Sequence, residues 1–213
     1  MIKDANCIII GGPIAVGKSS LVESLPFMGV QELYYEDELQ SILLKKLYEG
    51  DKVAAELLQF DMMLSRFEKY KSLANKNKLH VFDRSIFEDS IFAKFFLKNK
   101  ASKNYYQAIW KDKINELIKN IGKPKLYIYL DCSWLTFKKR LFKRSRSIET
   151  NYFKENELYF KKLLRAYKQH MLLMFKKYKL NYLLINTNNK SIQKVQEIVS
   201  DELNIQGICD EIS

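Results

Sequence analysis

The sequence predicts an α/β fold, a five-stranded parallel sheet flanked by helices. Two observations carry that expectation. Five short runs of β-branched and aromatic residues, each nearly continuous in apolar character, alternate with longer helical patterns. That is how strands buried on both faces of a parallel sheet read. The first run also empties into Gly12-Pro13-Ile14-Ala15-Val16-Gly17-Lys18-Ser19, a G-x-x-x-x-G-K-S phosphate-binding loop, which belongs between a strand and a helix.

Taken in order, Cys7–Ile10 is the first expected strand, and the loop after it opens a helix over 17–25. Leu33–Tyr35 reads as the second strand, followed by helices over 38–48 and 52–75. Leu79–Phe82 is the third, followed by helices over 86–98 and 103–120. Leu126–Leu130 is the fourth, with helices over 133–145 and 152–178, and Tyr182–Ile185 is the fifth, before a last helix over 190–203. Only three prolines and seven glycines occur, most of them between periodic segments. With no repeat or low-complexity tract, residues 1–213 are expected to form one domain. Ligands of such sheets bind beyond the carboxyl ends of the strands, so chemistry is sought there.

Composition narrows the classes. At 47% hydrophobic and 29% charged residues the chain can bury a core and is not a disordered segment. No stretch approaches the ~18 apolar residues of a membrane span, and the apolar run near the N-terminus is too short for a signal peptide. Cys7, Cys132 and Cys209 are scattered and odd in number, without a Cys-x-x-Cys pair. That reads as a reduced, cytoplasmic protein with neither a disulfide framework nor a thiolate metal site. His80 and His170 stand alone and make no zinc site. The net charge of +11 points to a polyanionic partner: nucleic acid, a membrane surface or a phosphorylated small molecule. Of the 36 cations only six are arginine, at 66, 84, 140, 144, 146 and 165. The lysine excess, with abundant Asn, Ile, Tyr and Phe, fits translation from an AT-rich genome, so the charge alone does not choose among partners.

Three motifs carry chemistry. In the phosphate-binding loop the glycines let the backbone curl until successive N–H groups face phosphate oxygens, and Gly12, Ala15, Gly17 and Ser20 are its expected nucleotide-binding positions. Lys18 would bridge the terminal phosphates and Ser19 would ligate magnesium. The third strand ends in Asp83-Arg84-Ser85, at the same sheet edge as the loop. A carboxylate there can serve the magnesium shell, and an arginine can neutralise charge on the transferring group. By itself the tripeptide reads equally well as an acid capping the next helix. The stretch 138–149, KKRLFKRSRSIE, places Arg140 and Arg144 on one helix face with Arg146 just beyond. Guanidinium forks bind phosphate bidentately where ammonium groups do not, although a solvated basic face gives the same pattern. Gln59 and Arg66, two helical turns apart, could read a base edge or form an exposed pair.

Together these residues resemble the deoxyribonucleoside kinase family of P-loop enzymes over residues 8 to about 187. The markers are the GPIAVGKS loop, Gln59 with Arg66, Asp83-Arg84-Ser85 with Asp89, and Arg140/Arg144/Arg146 with Glu149. The resemblance implies a P-loop kinase fold with an Arg-rich lid at about 140–150. The implied activity is phosphorylation of a deoxynucleoside 5′-hydroxyl by ATP with Mg2+. It implies that Gln59 bonds the base, with Arg66 and Asp89 on its other polar edge, and that Tyr48 and Glu149 hold the sugar 3′-hydroxyl. Arg84 would stand near the 5′-oxygen and the phosphates. Glu36 would be the general base, with Asp37 and Glu38 the alternatives; Asp37 stands where the family usually has proline. Asp83, where many members have glutamate, would serve magnesium. An Arg–Asp pair at these positions goes with purine or cytosine substrates rather than thymidine, and deoxyadenosine is the first expectation. A homodimer built from helices is also implied, with the helix over 86–98 a contributor unless it is a central core helix.

Two other readings compete. A thymidylate-type monophosphate kinase shares the loop and the Asp-Arg motif but usually carries an aromatic residue at the position of Ser85. A non-enzymatic nucleotide-sensing or nucleic-acid-binding module would bind without turnover. The arginines favour a nucleotide over nucleic acid or membrane, since five of the six fall in motif positions. ATP is the expected polyanion.

Overall fold

The computed structural model describes residues 3–25, 28–30, 38–74, 78–144 and 147–208. Its centre is a five-stranded, all-parallel sheet in the order β2-β3-β1-β4-β5. The strands are β1 (Asp4–Gly11), β2 (Met28–Val30), β3 (His80–Asp83), β4 (Lys123–Asp131) and β5 (Tyr182–Asn186). The helices are α1 (Lys18–Ser24), α2 (Glu38–Tyr48), α3 (Lys52–Leu73), α4 (Ile86–Phe96), α5 (Lys100–Asn120), α6 (Trp134–Lys143), α7 (Ser147–Glu155), α8 (Glu157–Tyr178) and α9 (Ile192–Ile205).

The apolar continuity of β1 and β4 follows from covering both faces of the sheet. Successive side chains alternate between faces, so Cys7 and Ile9 enter one core while Ile8 and Ile10 enter the other. The first core packs α3, α4, α5 and α8 against the sheet through Phe67, Phe87, Trp110 and Phe175. The second packs α1, α6 and α9 through Leu21, Phe137 and Val199, joined by Phe153 of α7 and Phe160 of α8. A smaller cluster of Leu43, Leu47, Leu58 and Met62 fastens α2 to α3. The turn between those two helices uses Gly50 at φ +91 and Asp51, whose carboxylate accepts the N–H groups of Val53 and Ala54. This is the side-chain cap that an exposed helix start needs.

Three expectations are adjusted. Among the described residues the second strand is Met28–Val30, paired along β3; the run Leu33–Tyr35, expected to be that strand, lies outside them. A three-residue edge strand with a central glycine carries almost no periodic signal. The helix expected over 152–178 is two helices that break at Asn156, where the backbone leaves the helical region (φ −125, ψ 29) and the side-chain amide donates to the Tyr152 carbonyl at 3.0 Å. Asparagine bonds its own backbone and so competes with helix continuation. Finally, α4 is apolar on several faces because it is a core helix: Ile86, Phe87, Ser90, Ile91 and Ala93 are all buried beneath α3, α5 and α8.

Candidate active site

The phosphate-binding loop follows β1 as the sequence requires. Gly12 has φ +137, Ala15 φ +58 and Gly17 φ +106, so the loop turns through left-handed conformations at three positions. Gly12 has no alternative, because a Cβ there would strike the carbonyl of Leu130 on β4. Lys18 begins α1 and is 7% exposed, with its ammonium folded back to donate to the Pro13 carbonyl at 2.8 Å. Burial, reinforced by the nearby Arg84 charge, pulls its pKa down from the usual lysine range to about 7.

Asp83 ends β3 beside this loop. Its Oδ2 accepts the Ser19 hydroxyl at 2.6 Å, while Oδ1 is buried without a hydrogen-bond partner. The acid therefore does not cap α4; the N-cap residue is Ser85. A serine hydroxyl and a carboxylate with one oxygen to spare form a hard oxygen donor set suited to Mg2+. Among the described residues no cluster of three or more His, Cys, Asp or Glu side chains offers another site for a metal ion.

Arg84 takes a left-handed backbone conformation, φ +73, which costs a non-glycine residue on the order of 1 kcal/mol or more. Its N–H still donates to the Ile10 carbonyl at 2.9 Å, so the strained turn is held against β1. The guanidinium lies 5.3 Å from the centre of the Phe92 ring and donates from Nη1 to Glu88 at 3.0 Å and to the Tyr167 hydroxyl at 2.6 Å. Glu88 and Tyr167 had no part in the sequence reading. Glu88 left one trace there, an acid four residues after Arg84 in the first turn of the next helix.

On the other side of Arg84, α3 and α4 bring the base-reading candidates together. Gln59 and Arg66 are both buried on α3, and Arg66 forms a buried ion pair with Asp89 of α4. Asp89 Oδ2 is buried and has no hydrogen-bond partner. Tyr48 ends α2 with its ring 4.6 Å from that of Tyr152 on α7, the helix whose backbone includes Glu149. Glu36 and Arg146 lie outside the described residues.

A cleft of about 460 Å³ opens over the loop, lined by residues 15–20, by Arg140, Lys143 and Arg144 at the end of α6, and by Thr187 and Lys190 beyond β5. Arg140 is committed within it. Its guanidinium donates to the Val16 carbonyl at 3.0 Å and to the Thr187 hydroxyl and carbonyl, each at 2.8 Å. Thr187 in turn donates to the Asp131 carbonyl at 3.0 Å, which ties α6, the loop and the ends of β4 and β5 together. Thr187 and Lys190 were not foreseen as site residues. They reach the cleft only because β5 is parallel to β4 and ends at the same edge.

A parallel sheet with a G-x-x-x-x-G-K-S loop, a serine–aspartate pair and a buried arginine at its carboxyl edge defines a P-loop phosphotransferase. The deoxynucleoside kinase profile matches residues 8–205. The chain is 37% identical over 213 residues to an uncharacterized protein of Mycoplasma genitalium, covering 97% of this chain and 93% of that one. It is 34% identical over 168 residues to a deoxyguanosine kinase of Lactobacillus johnsonii, covering 76% and 74% of the two chains. Its fold superposes on deoxyadenosine kinase from M. mycoides with bound dATP at a TM-score of 0.73 and 22% identity, over 93% of this chain and 99% of that one. The chain belongs to the deoxynucleoside kinase family.

Proposed function

We propose that this kinase transfers the γ-phosphoryl group of ATP to the 5′-hydroxyl of a purine deoxynucleoside, deoxyadenosine first, as a step of nucleotide salvage. The observation that carries the base preference is the buried Arg66–Asp89 pair with its unpartnered Asp89 oxygen. A buried acceptor of that kind suits a base that presents an amino group and penalises thymine, which offers a carbonyl and a methyl group instead. The deoxyguanosine and deoxyadenosine kinases among the relatives support the same choice. Gln59, Arg66 and Asp89 bind the base, and Tyr48 with Glu149 binds the sugar 3′-hydroxyl.

The Glu36 carboxylate accepts the 5′-hydroxyl proton as that oxygen bonds to the γ-phosphorus, and the bond from phosphorus to the ADP oxygen breaks. Lys18 and Arg84 hold the phosphate oxygens, and Ser19 and Asp83 hold Mg2+, which neutralises the developing charge when bound. Arg144 and Arg146, carried by a lid over about 140–150, complete the charge around the donor phosphates. Arg140 joins them at the cleft wall while bracing the loop. The same reading takes residues 1–213 as one cytoplasmic domain working as a homodimer, for which sedimentation is the direct check.

A coupled assay with ATP, Mg2+ and each deoxynucleoside in turn, with deoxythymidine monophosphate alongside, tests the proposal. The expected order is deoxyadenosine above thymidine in kcat/KM, with no turnover of the monophosphate. Equal kcat/KM for thymidine and deoxyadenosine would overturn the base preference, and preferential turnover of the monophosphate would overturn the nucleoside kinase reading. Glu36→Gln is expected to cut kcat by roughly 10²–10⁴-fold while leaving ATP binding intact. Near-wild-type turnover in that variant moves the base to Asp37 or Glu38.

A further inference from the structure

Glu88 lies at the foot of the phosphate-binding loop with none of its surface exposed, and no step above uses it. Its carboxylate is shared among four segments that are distant in the chain. One oxygen accepts the Tyr127 hydroxyl of β4. The other accepts the Tyr167 hydroxyl of α8, Arg84 Nη1 at 3.0 Å and the backbone N–H of Gly12 at 3.4 Å. Tyr167 also accepts from Arg84 Nη1 at 2.6 Å, so guanidinium, phenol and carboxylate close a ring of three mutual bonds. A carboxylate is tolerated at such depth only when its charge is compensated and its oxygens are satisfied. The compensating charge here is Arg84 itself.

Gly11 supplies an independent observation. The G-x-x-x-x-G-K-S pattern begins at Gly12 and makes no demand on position 11. A Cβ at Gly11 would run into the Glu88 carboxylate and the Tyr127 ring, so the chain has given up a side chain in β1 to seat this cluster.

We infer that Glu88 is a positioning residue for phosphoryl transfer, holding the Arg84 guanidinium in register with the first glycine of the phosphate-binding loop. Arg84 and the donor phosphates then keep one separation through the reaction, and Tyr167 fixes the angle of the guanidinium. The inference rests on the reading of Arg84 as a group that acts on the transferring phosphate. A displacement of about 1 Å at such a group costs up to about 100-fold in rate, without a matching loss of substrate affinity.

The test compares Arg84→Ala, Glu88→Gln, Tyr167→Phe and the double variants of each with Arg84→Ala. Single-turnover rates, KM for both substrates and thermal unfolding are measured for every protein. Glu88→Gln is expected to lower the rate about 10–100-fold with each KM moving less than about 3-fold, and Tyr167→Phe to act in the same direction by less. In the Arg84→Ala background neither substitution is expected to cost more than about 2-fold further, because no guanidinium remains to be aimed. An unchanged rate in Glu88→Gln, or an equal loss in both backgrounds, overturns the inference. A wild-type rate in Arg84→Ala overturns instead the reading of Arg84. Should Glu88→Gln fail to fold, Tyr167→Phe decides alone by the same criteria, since it keeps the ring in the core and removes only the hydroxyl.

Discussion

Under the proposed function, Lys18 is the residue at which ligand and proton are coupled most directly. In the ligand-free protein burial and the Arg84 charge bring its pKa to about 7, whereas phosphate oxygens in contact with it favour the charged form. With Lys18 holding the donor phosphates as proposed, nucleotide binding above pH 7 is expected to take up a proton. Calorimetry in buffers of different ionisation enthalpy is expected to show uptake approaching about one proton near pH 8.5 and almost none near pH 6. Affinity for ATP should fall correspondingly as pH rises. The same shift acts on folding with a definite sign. A lysine lowered from 10.5 to about 7 on folding leaves the unfolded chain holding more protons between those values. Its contribution to the stability of the ligand-free protein thus grows as pH rises from 7 towards 10.5. Lys18→Met should abolish both effects, and pH-independent proton uptake in the wild type would rule the coupling out.

Among the elements, α6 does more than carry basic residues to a cleft. Arg140 spends its donors on Val16 and Thr187, so the helix is strapped to the loop and to the end of β5. Arg140→Leu removes three charge-assisted hydrogen bonds, each typically worth about 1.5–3 kcal/mol. The expected result is a rise of about tenfold or more in KM for ATP, with KM for the deoxynucleoside nearly unchanged. Equal changes in both constants would mean that the strap serves the whole site. That strap also marks the limit of what the sequence discloses. The loop, Asp83-Arg84 and the helix bearing Arg66 are local patterns whose spacing can be read along the chain. The contact of Arg140 with Val16 spans 124 positions and that of Arg84 with Tyr167 spans 83, and it is the order of the strands that brings each pair together. The same holds for Glu88, one of two adjacent acids in the first turn of α4 until the sheet sets Gly12 and Tyr127 against it. Local chemistry was also decisive at Asn156, where one side-chain amide splits what hydrophobic periodicity reads as a single helix.

Among the described residues, the sheet divides the interior of the molecule into two cores, and each holds one cysteine thiol. Cys7 lies in the first, where burial pushes its thiol up to about 12, and Cys132 in the second, where burial raises it to about 11. Both are thus almost entirely protonated and occluded near neutral pH, and thiols react as thiolates. Alkylation followed by peptide-resolved mass spectrometry should find each at least about 100-fold slower to react in the folded protein than in urea. Rapid labelling of Cys7 alone would mean that the α3–α5 side opens independently of the other. No helix among the described residues is long and apolar enough to cross a membrane. The +11 charge also takes on a clearer division, since Arg84 is buried against Glu88, Arg66 is buried against Asp89, and Arg140 and Arg144 line the cleft.

The glycine at position 11 has a consequence for how such a chain can change. While Glu88 and Tyr127 fill the space beside it, any side chain there is excluded; only once both have become small residues is that space vacated and alanine at 11 permissible. Substitutions at positions 11, 88 and 127 are therefore ordered in time. A lineage that first loses both the acid and the ring can later fill position 11, and having done so it can no longer restore either, so the Arg84 anchor is a trait that lineages can shed more readily than regain.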